Sequence, residues 1–245
     1  MKKAIFNWSG GKDSAVSLYY IKQQGEYDIQ YLLTSVSSQY QRISMHGVRM
    51  ELLRQQAKSI GIPLYSLMMP EMPTMETYNE LMFKTLSELK SQRIDYSIFG
   101  DIFLEDLKLY REQQLAKIPM QGVFPIWKIS SQYLVRQFID LGFKAVLVCV
   151  DEKFLDRSFA GRPIDERLLK DLPKGVDPCG ENGEYHSFVY DGPIFQEPIV
   201  FELGEVVHRK YQLPSTGNSV CPGTTSEVRT GFWYCDLLPL CESSL

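Results

Sequence analysis

The stretch Ser9-Gly10-Gly11-Lys12-Asp13-Ser14 follows directly on an apolar run at residues 4–8. This order predicts a strand, then a tight turn, then the start of a helix. Two adjacent glycines permit positive φ values and close backbone approach to an anion, and the first N–H groups of a helix point toward negative charge. Lys12 adds a full positive charge. The stretch therefore predicts a phosphate-binding turn, with Ser9 and Ser14 as further hydroxyl donors.

The spacing of this turn excludes one common phosphate-binding loop. A Walker A loop has the pattern G-x-x-x-x-G-K-[ST], but Phe6 stands five residues before Gly11 and Asp13 follows the lysine. The sequence SGGKDS instead resembles the signature of the PP-loop ATP pyrophosphatases. That resemblance implies cleavage of ATP between its α- and β-phosphates, with release of pyrophosphate and transfer of AMP to an acceptor.

The composition is that of an ordinary globular protein. The 245 residues include 44% hydrophobic and 23% charged residues, and the length suits one large or two small domains. A net charge of -4 without a basic cluster disfavours a nucleic-acid partner. Without an apolar segment of roughly 18 residues or a secretory signal after Met1, we expect a cytoplasmic protein with no membrane partner.

The cysteines number five and include no C-x-x-C pair, which favours reduced thiols over disulfides or a metal cluster. They are Cys149, Cys179, Cys221, Cys235 and Cys241.

The first half of the chain alternates strand-like and helix-like stretches, the pattern of a parallel α/β sheet. Strands are expected at residues 4–8, 31–36, 64–68 and 94–99, and helices at residues 13–24, 48–60 and 75–89. Beyond a soft boundary near residue 128 we expect a helix at 132–141 and strands at 145–150, 185–190 and 199–207. The predicted domains are therefore 1–128, which binds nucleotide, and 129–240, which is smaller and binds substrate.

The carboxyl ends of the predicted parallel strands form the expected ligand-binding rim. Asp13 is either an ordinary helix cap or, as in PP-loop proteins, a residue near the phosphates that can hold Mg²⁺. His46 follows the second strand and is either a solvated loop residue or a nucleotide contact. Gly100-Asp101 follows the fourth strand, where it either forms a turn or lets adenosine or the acceptor approach closely.

A second polar cluster lies in the run GENGEYHS at residues 180–187. Asn182-Gly183 predicts a turn. Glu181 and Glu184 flank this turn and could bind an ammonium ion, orient an amine or take a proton. The spacing alone does not decide between a plain turn and a site.

These motifs together resemble the diphthine-ammonia ligase family, over residues 1 to about 205. The resemblance rests on the PP-loop, His46, Gly100-Asp101-Ile102, Gly161-Arg162 and residues 180–186. It implies an α/β fold, with a parallel-sheet PP-loop domain of the adenine nucleotide α-hydrolase type and a smaller α+β C-terminal domain. It also implies adenylation of a carboxylate with ATP and Mg²⁺, followed by attack of ammonia from solution or from a partner.

The resemblance also assigns roles to individual residues. The catalytic residues would be Lys12, Asp13 and Glu184, with Asp13 as the metal ligand. The nucleotide would contact Ser9, Gly10, Gly11, Lys12, Asp13, Ser14, His46, Gly100 and Asp101. The substrate would contact Glu181, Asn182, Glu184 and His186.

The cluster at 180–186 departs from the pattern of family members that act on diphthine. Those members read E-G-G-E-[FY]-E, whereas this chain reads ENGEYH at residues 181–186. The latter version resembles a bacterial branch, which implies a small acid such as a corrinoid as acceptor in place of a protein-borne carboxylate. His186 would also make activity sensitive to pH between roughly 6 and 8.

Two other functions stay open at this point. A PP-loop enzyme that modifies tRNA would be expected to carry a basic face or catalytic cysteines, which the sequence does not display. A nucleotide-binding sensor without turnover is the other alternative, and Lys12 and Asp13 beside a carboxylate-rich cluster weigh against it. The sequence leaves the oligomeric state open, with a homo-oligomer as one option.

Overall fold

A computed structural model describes residues 1–43, 47–70, 73–212 and 229–240. Strands and helices alternate through the first half, which confirms the α/β prediction. The elements are β1 Lys2–Asn7, α1 Lys12–Gln24, β2 Tyr27–Ser37, α2 Met50–Ile60, β3 Leu64–Met69, α3 Met75–Ser91, β4 Tyr96–Ile98, α4 Glu105–Ala116 and β5 Gln121–Val123. They are followed by α5 Ser131–Asp140, β6 Lys144–Asp151, a 3₁₀ turn Arg157–Phe159, α6 Glu166–Asp171, β7 Tyr185–Asp191, β8 Phe201–Gln212 and β9 Arg229–Pro239.

The first sheet contains five parallel strands in the order β3-β2-β1-β4-β5. The chain runs outward from β1 to β3 on one side and then returns to β4 and β5 on the other. The strand order therefore reverses between β1 and β4, where the two following loops diverge and leave a crevice. The SGGKDS turn leaves β1 at that crevice, and Gly100 follows β4 there.

Two helices of this sheet end at glycines. Gly25 ends α1 with φ 65°, and Gly61 ends α2 with φ 78°. Both lie in the left-handed region, which glycine adopts without the steric cost that a side chain brings.

The second sheet is antiparallel, in the order β7-β6-β9-β8, and is accompanied by the helices α5 and α6. This confirms the smaller α+β part of the predicted fold. The first sheet ends at Val123 and the second begins at Lys144. The boundary at residue 128 stays a prediction, because no observation here divides the chain at a particular residue.

The two sheets share one buried apolar cluster and are also joined by polar contacts. The N–H of Val189 in β7 donates to the carbonyl of Gly10, at 2.9 Å. Gln56 Nε2 donates to the carbonyls of both Gly10, at 3.1 Å, and Val189, at 2.5 Å. Strand β7 is thus fastened directly onto the turn that follows β1.

In the described part of the chain, no helix combines the length and apolar character that crossing a membrane requires. Cys149, Cys179 and Cys235 are buried free thiols. Cys221 and Cys241 lie outside the described residues.

Candidate functional site

The SGGKDS turn adopts a conformation that requires its first glycine. Gly10 has φ +76°, and a Cβ there would lie 2.9 Å from Gln56 Oε1. Gly11 has φ -95° and immediately precedes α1. A Cβ on Gly11 would lie 3.1 Å from the carbonyl oxygen of Ser187. Positive φ decides the residue type at the first position, whereas close packing against β7 restricts it at the second.

Hydroxyl groups line the inside of this turn. Ser9 Oγ accepts from the N–H of Gly11, at 3.3 Å, and donates to Ser14 Oγ, at 3.1 Å. Ser14 Oγ in turn donates to the carbonyl of Gly11, at 2.8 Å. The N–H of Lys12 donates across to Ser187 Oγ, at 3.2 Å. The turn thus combines two serine hydroxyls with the amino end of α1, as the sequence predicts.

Lys12 is buried and charged. Its Nζ lies 2.8 Å from Asp13 Oδ2 and 5.1 Å from the ring centroid of Tyr185, while the whole residue is only 4% exposed. Burial alone would lower the pKa of Lys12, but the adjacent Asp13 carboxylate outweighs burial and raises the pKa above its usual value. The ammonium group therefore remains charged at every physiological pH.

A cavity of about 570 Å³ opens at the crevice between β1 and β4, a volume that suits a nucleotide. Of the predicted site residues, it is lined by Ser9, Gly11, Lys12, Asp13, Ser14, Gly100, Asp101, Glu181 and His186. Three others, Gly10, Asn182 and Glu184, are not among the lining residues. The prediction for His46 falls outside the described residues.

Gly100 is close to the backbone of α1. A Cβ at this position would lie 3.0 Å from the backbone nitrogen of Ser14 and 3.1 Å from the carbonyl oxygen of Asp13. The missing side chain lets the end of β4 pack against the first turn of α1, whereas the sequence analysis weighed a turn against close approach by a ligand. Gly100 also lines the cavity, so the two roles are compatible.

Arg111 lines the cavity and was missed by the sequence analysis. It lies on α4, where its Nε is 2.6 Å from Asp101 Oδ2 and its guanidinium lies 4.5 Å from the centroid of the Phe99 ring. Asp101, which follows β4, thus has a cationic partner in Arg111. The acidic pair Glu105 and Asp106 is a helix-start signal that could have indicated α4.

Glu181 is the carboxylate of the second cluster that faces the cavity. Its Oε1 accepts from the N–H of Ile102, at 3.4 Å. Burial, followed by the charge of Asp13, raises the pKa of Glu181 to about 7, although Lys12 acts in the opposite direction. The side chain therefore exchanges a proton near neutral pH, which is the property of a general base.

Glu184 points into its own loop. Its Oε1 accepts from the N–H of Asp177, at 2.9 Å, and from Asn182 Nδ2, at 3.0 Å, while Oε2 accepts from the N–H of Asn182, at 2.9 Å. The residue is 1% exposed. These bonds stabilise the turn that residues 181–184 form, and that turn presents Glu181 to the cavity.

The pH sensitivity expected of His186 is wrong. Burial and then the positive charge of Lys12 lower its pKa to about 4. The imidazole is therefore neutral between pH 6 and 8, whereas the pKa of Glu181 lies within this range.

Asp13 is the residue that could hold a metal ion. Among the residues described, no group of three or more His, Cys, Asp or Glu side chains could hold a metal ion by itself. One carboxylate nevertheless fits Mg²⁺, because this ion keeps several waters and takes most other ligands from substrate phosphates.

Comparison with known proteins assigns the chain to a family. Residues 1–120 match the diphthamide synthase N-terminal domain, and residues 130–213 match the diphthamide synthase C-terminal domain. The chain belongs to the diphthamide synthase family. This confirms the resemblance seen in the sequence, with the phosphate turn in the first matched region and the 180–187 cluster in the second.

Individual relatives agree with this family. The chain is 25% identical over 225 residues to diphthine–ammonia ligase from Bos taurus, a match that covers 81% of this chain and 82% of the relative. It is 26% identical over 186 residues to diphthine–ammonia ligase from Homo sapiens, with coverage of 70% and 68%. The Danio rerio enzyme of the same name is 27% identical over 169 residues, with coverage of 62% and 65%.

Proposed function

We propose that this member of the diphthamide synthase family is an ATP-dependent ligase that adenylates a carboxylate, releases pyrophosphate and transfers ammonia to the acyl-adenylate. The observation that carries the proposal is the position of buried, charged Lys12 in the SGGKDS turn, facing a cavity that reaches Glu181. The names of the relatives, each a diphthine–ammonia ligase, support the same reaction class.

In the first step an oxygen of the acceptor carboxylate attacks the α-phosphorus of ATP. The bond from this phosphorus to the bridging oxygen breaks, and pyrophosphate leaves with the electron pair. Lys12 and the N–H groups at the start of α1 would stabilise the leaving charge, mainly because they are already oriented. Bound at Asp13, Mg²⁺ would supply further charge neutralisation on the phosphates.

In the second step ammonia attacks the acyl carbon, and AMP leaves. The nitrogen must lose a proton to give the amide. Glu181, with its pKa of about 7, would accept this proton and return it to solvent. Neutral His186 also lines the cavity and would bind the substrate by hydrogen bonds.

Glu184 and Asn182 would act as positioning residues in this scheme. Their mutual hydrogen bonds hold the turn that precedes β7, and neither lines the cavity. This assignment gives proton transfer to Glu181, whereas the sequence analysis named Glu184 as the catalytic carboxylate.

The acceptor is proposed as a carboxylate in one of two forms. Diphthine, a protein-borne carboxylate, is the substrate named for the relatives. A small acid such as a corrinoid is the form that the sequence ENGEYH favours. The carboxylate of each is compatible with the same two steps.

Product analysis tests the proposal. The purified protein is incubated with ATP, Mg²⁺ and ammonium, together with either diphthine-modified elongation factor 2 or a panel of small acids that includes corrinoid acids. We expect AMP and pyrophosphate, formed in proportion to the amide. ADP and phosphate would refute the PP-loop assignment, and nucleotide binding without turnover on any acid would favour the sensor.

A further inference from the structure

Ser187 brings a hydroxyl group from the second sheet to the phosphate turn of the first. The residue lies in β7, is 3% exposed and lines the cavity. Its Oγ accepts the hydrogen bond of the Lys12 N–H, at 3.2 Å. That N–H belongs to the first residue of α1, where an anion on this turn would be expected to bind.

The hydroxyl group of Ser187 can also act as a hydrogen-bond donor. In the part of the chain that the structure describes, the Lys12 N–H is the one hydrogen-bond partner of Ser187 Oγ. A serine oxygen that accepts from an N–H can still donate its own proton. Because Ser187 lines the cavity, a ligand oxygen bound there can accept this proton.

Ser187 is also held in place. The N–H of Val189, two residues further along β7, donates to the carbonyl of Gly10. Gln56 Nε2 donates to the carbonyls of both Gly10 and Val189. The backbone carbonyl of Ser187 packs so closely on Gly11 that a Cβ there would be 3.1 Å away. The backbone of Ser187 is therefore held against the turn, so that rotation about its Cα–Cβ bond alone sets the position of the hydroxyl.

We propose that Ser187 is a phosphate ligand, whose O–H donates to a phosphate oxygen of the nucleotide bound on the SGGKDS turn. The proposal rests on the ATP site of the proposed function and adds a ligand from the second sheet. The two sheets would then build the phosphate site jointly, and nucleotide binding would strengthen the contact between β7 and the turn.

Binding measurements with nucleotide fragments test this assignment. Dissociation constants for AMP, pyrophosphate and adenosine are measured by calorimetry on the full chain, as wild type, Ser187→Ala and Ser187→Thr. We expect Ser187→Ala to weaken AMP or pyrophosphate binding by about 10- to 100-fold, the range for a hydrogen bond to a charged group, without changing adenosine binding. Ser187→Thr retains the hydroxyl and should stay within a few-fold of wild type.

Two controls separate a ligand from a merely structural serine. Ser66→Ala, on strand β3 outside the cavity lining, should leave all three affinities unchanged. Nucleotide-free Ser187→Ala should melt a few degrees below wild type, because the Lys12 N–H loses its acceptor, whereas the rise in melting temperature on adding AMP or pyrophosphate should shrink. Weaker adenosine binding in this variant would overturn the assignment in favour of a structural role.

Unchanged affinity of Ser187→Ala for both AMP and pyrophosphate would overturn the Ser187 assignment alone. If wild type itself binds neither fragment, the ATP site of the proposed function fails, and the Ser187 assignment fails with it. The wild-type measurement therefore distinguishes the two failures.

Discussion

The backbone N–H of Ile102 donates a hydrogen bond to Glu181 Oε1, at 3.4 Å. Ile102 follows β4 of the first sheet, and Glu181 precedes β7 of the second. The carbonyl of Ile102 is itself held by the N–H of Lys128, at 2.7 Å. The contact places a carboxylate with a raised pKa at the cavity, opposite the loop that follows β4.

Replacement of this carboxylate should affect ammonia transfer more than adenylation. We expect Glu181→Gln to lower amide formation by about 100-fold, because general-base catalysis contributes at least this much, and to leave ATP–pyrophosphate exchange within a few-fold. At a fixed concentration of free ammonia, the wild-type rate should rise as pH passes through about 7. The variant should lack this rise, whereas exposed Glu51→Gln should keep it. An unchanged pH profile in Glu181→Gln would remove Glu181 as the base.

The same ionisation should appear in stability. The pKa of Glu181 is about 7 in the folded protein against an ordinary value of 4.5, so the folded state binds this proton more tightly than the unfolded state. The contribution of Glu181 to the free energy of unfolding therefore falls as pH rises from about 4.5 to 7. In urea titrations at pH 5 and pH 7.5, Glu181→Gln should lose less stability than wild type over this interval. Parallel losses in the two proteins would contradict the raised pKa.

Removal of the buried ammonium should impair the first chemical step. We expect Lys12→Ala to lower pyrophosphate release by about 100-fold or more, because a preorganised charge at the leaving group is lost. Lys22→Ala, in the last turn of the same helix and exposed, is the matched control. If folded Lys12→Ala releases pyrophosphate at a rate near that of wild type, Lys12 has no part in the mechanism.

Glu184→Gln separates positioning from catalysis. Its carboxylate accepts two backbone N–H bonds and one side-chain bond, and a glutamine amide would turn a donor toward at least one of them. We expect a loss of about 2 kcal/mol in the free energy of unfolding, measured by urea titration. A stable variant that is defective only in acyl transfer would instead restore the catalytic role expected from the sequence.

Asp236 of β9 links the second sheet to the loop before α2. Its carboxylate lies 2.8 Å from Arg42 Nη1 and 2.6 Å from Arg49 Nη2. Burial opposes ionisation, but hydrogen bonds from Arg49 and Arg42 outweigh it and lower the pKa of Asp236 to about 2.

We expect Asp236→Asn to reduce the free energy of unfolding by about 1 to 2 kcal/mol at pH 7, because the carboxylate and its two arginine partners are partly shielded from solvent. The stabilisation by a lowered pKa is complete above the ordinary value of 3.8 and is lost as pH falls toward 2. Urea titrations should therefore show the gap between wild type and variant shrinking below pH 4. A gap that is constant down to pH 2 would exclude this ionisation as its source.

The sequence by itself determined the phosphate turn and most elements of the first sheet. Strand and helix periodicity, and the left-handed glycines Gly25 and Gly61, are properties of neighbouring residues. Helix α4 was missed because it has no continuous apolar stripe: Leu115 is buried, but Leu109 is 55% exposed. Strand β9 also lacked a sequence prediction. It pairs with β8, the preceding strand, and with β6, which lies much earlier in the chain.

Only the tertiary structure decided which glutamate faces the cavity and which side chains complete the site. Glu181 and Glu184 flank a turn with no fixed periodicity, so their spacing could not assign them to opposite sides. Ser187 reaches Lys12, 175 residues earlier in the chain, only because β7 packs on the phosphate turn. Such contacts depend on how the two sheets pack over their shared apolar cluster. That packing cannot be inferred from residues that are near each other in sequence.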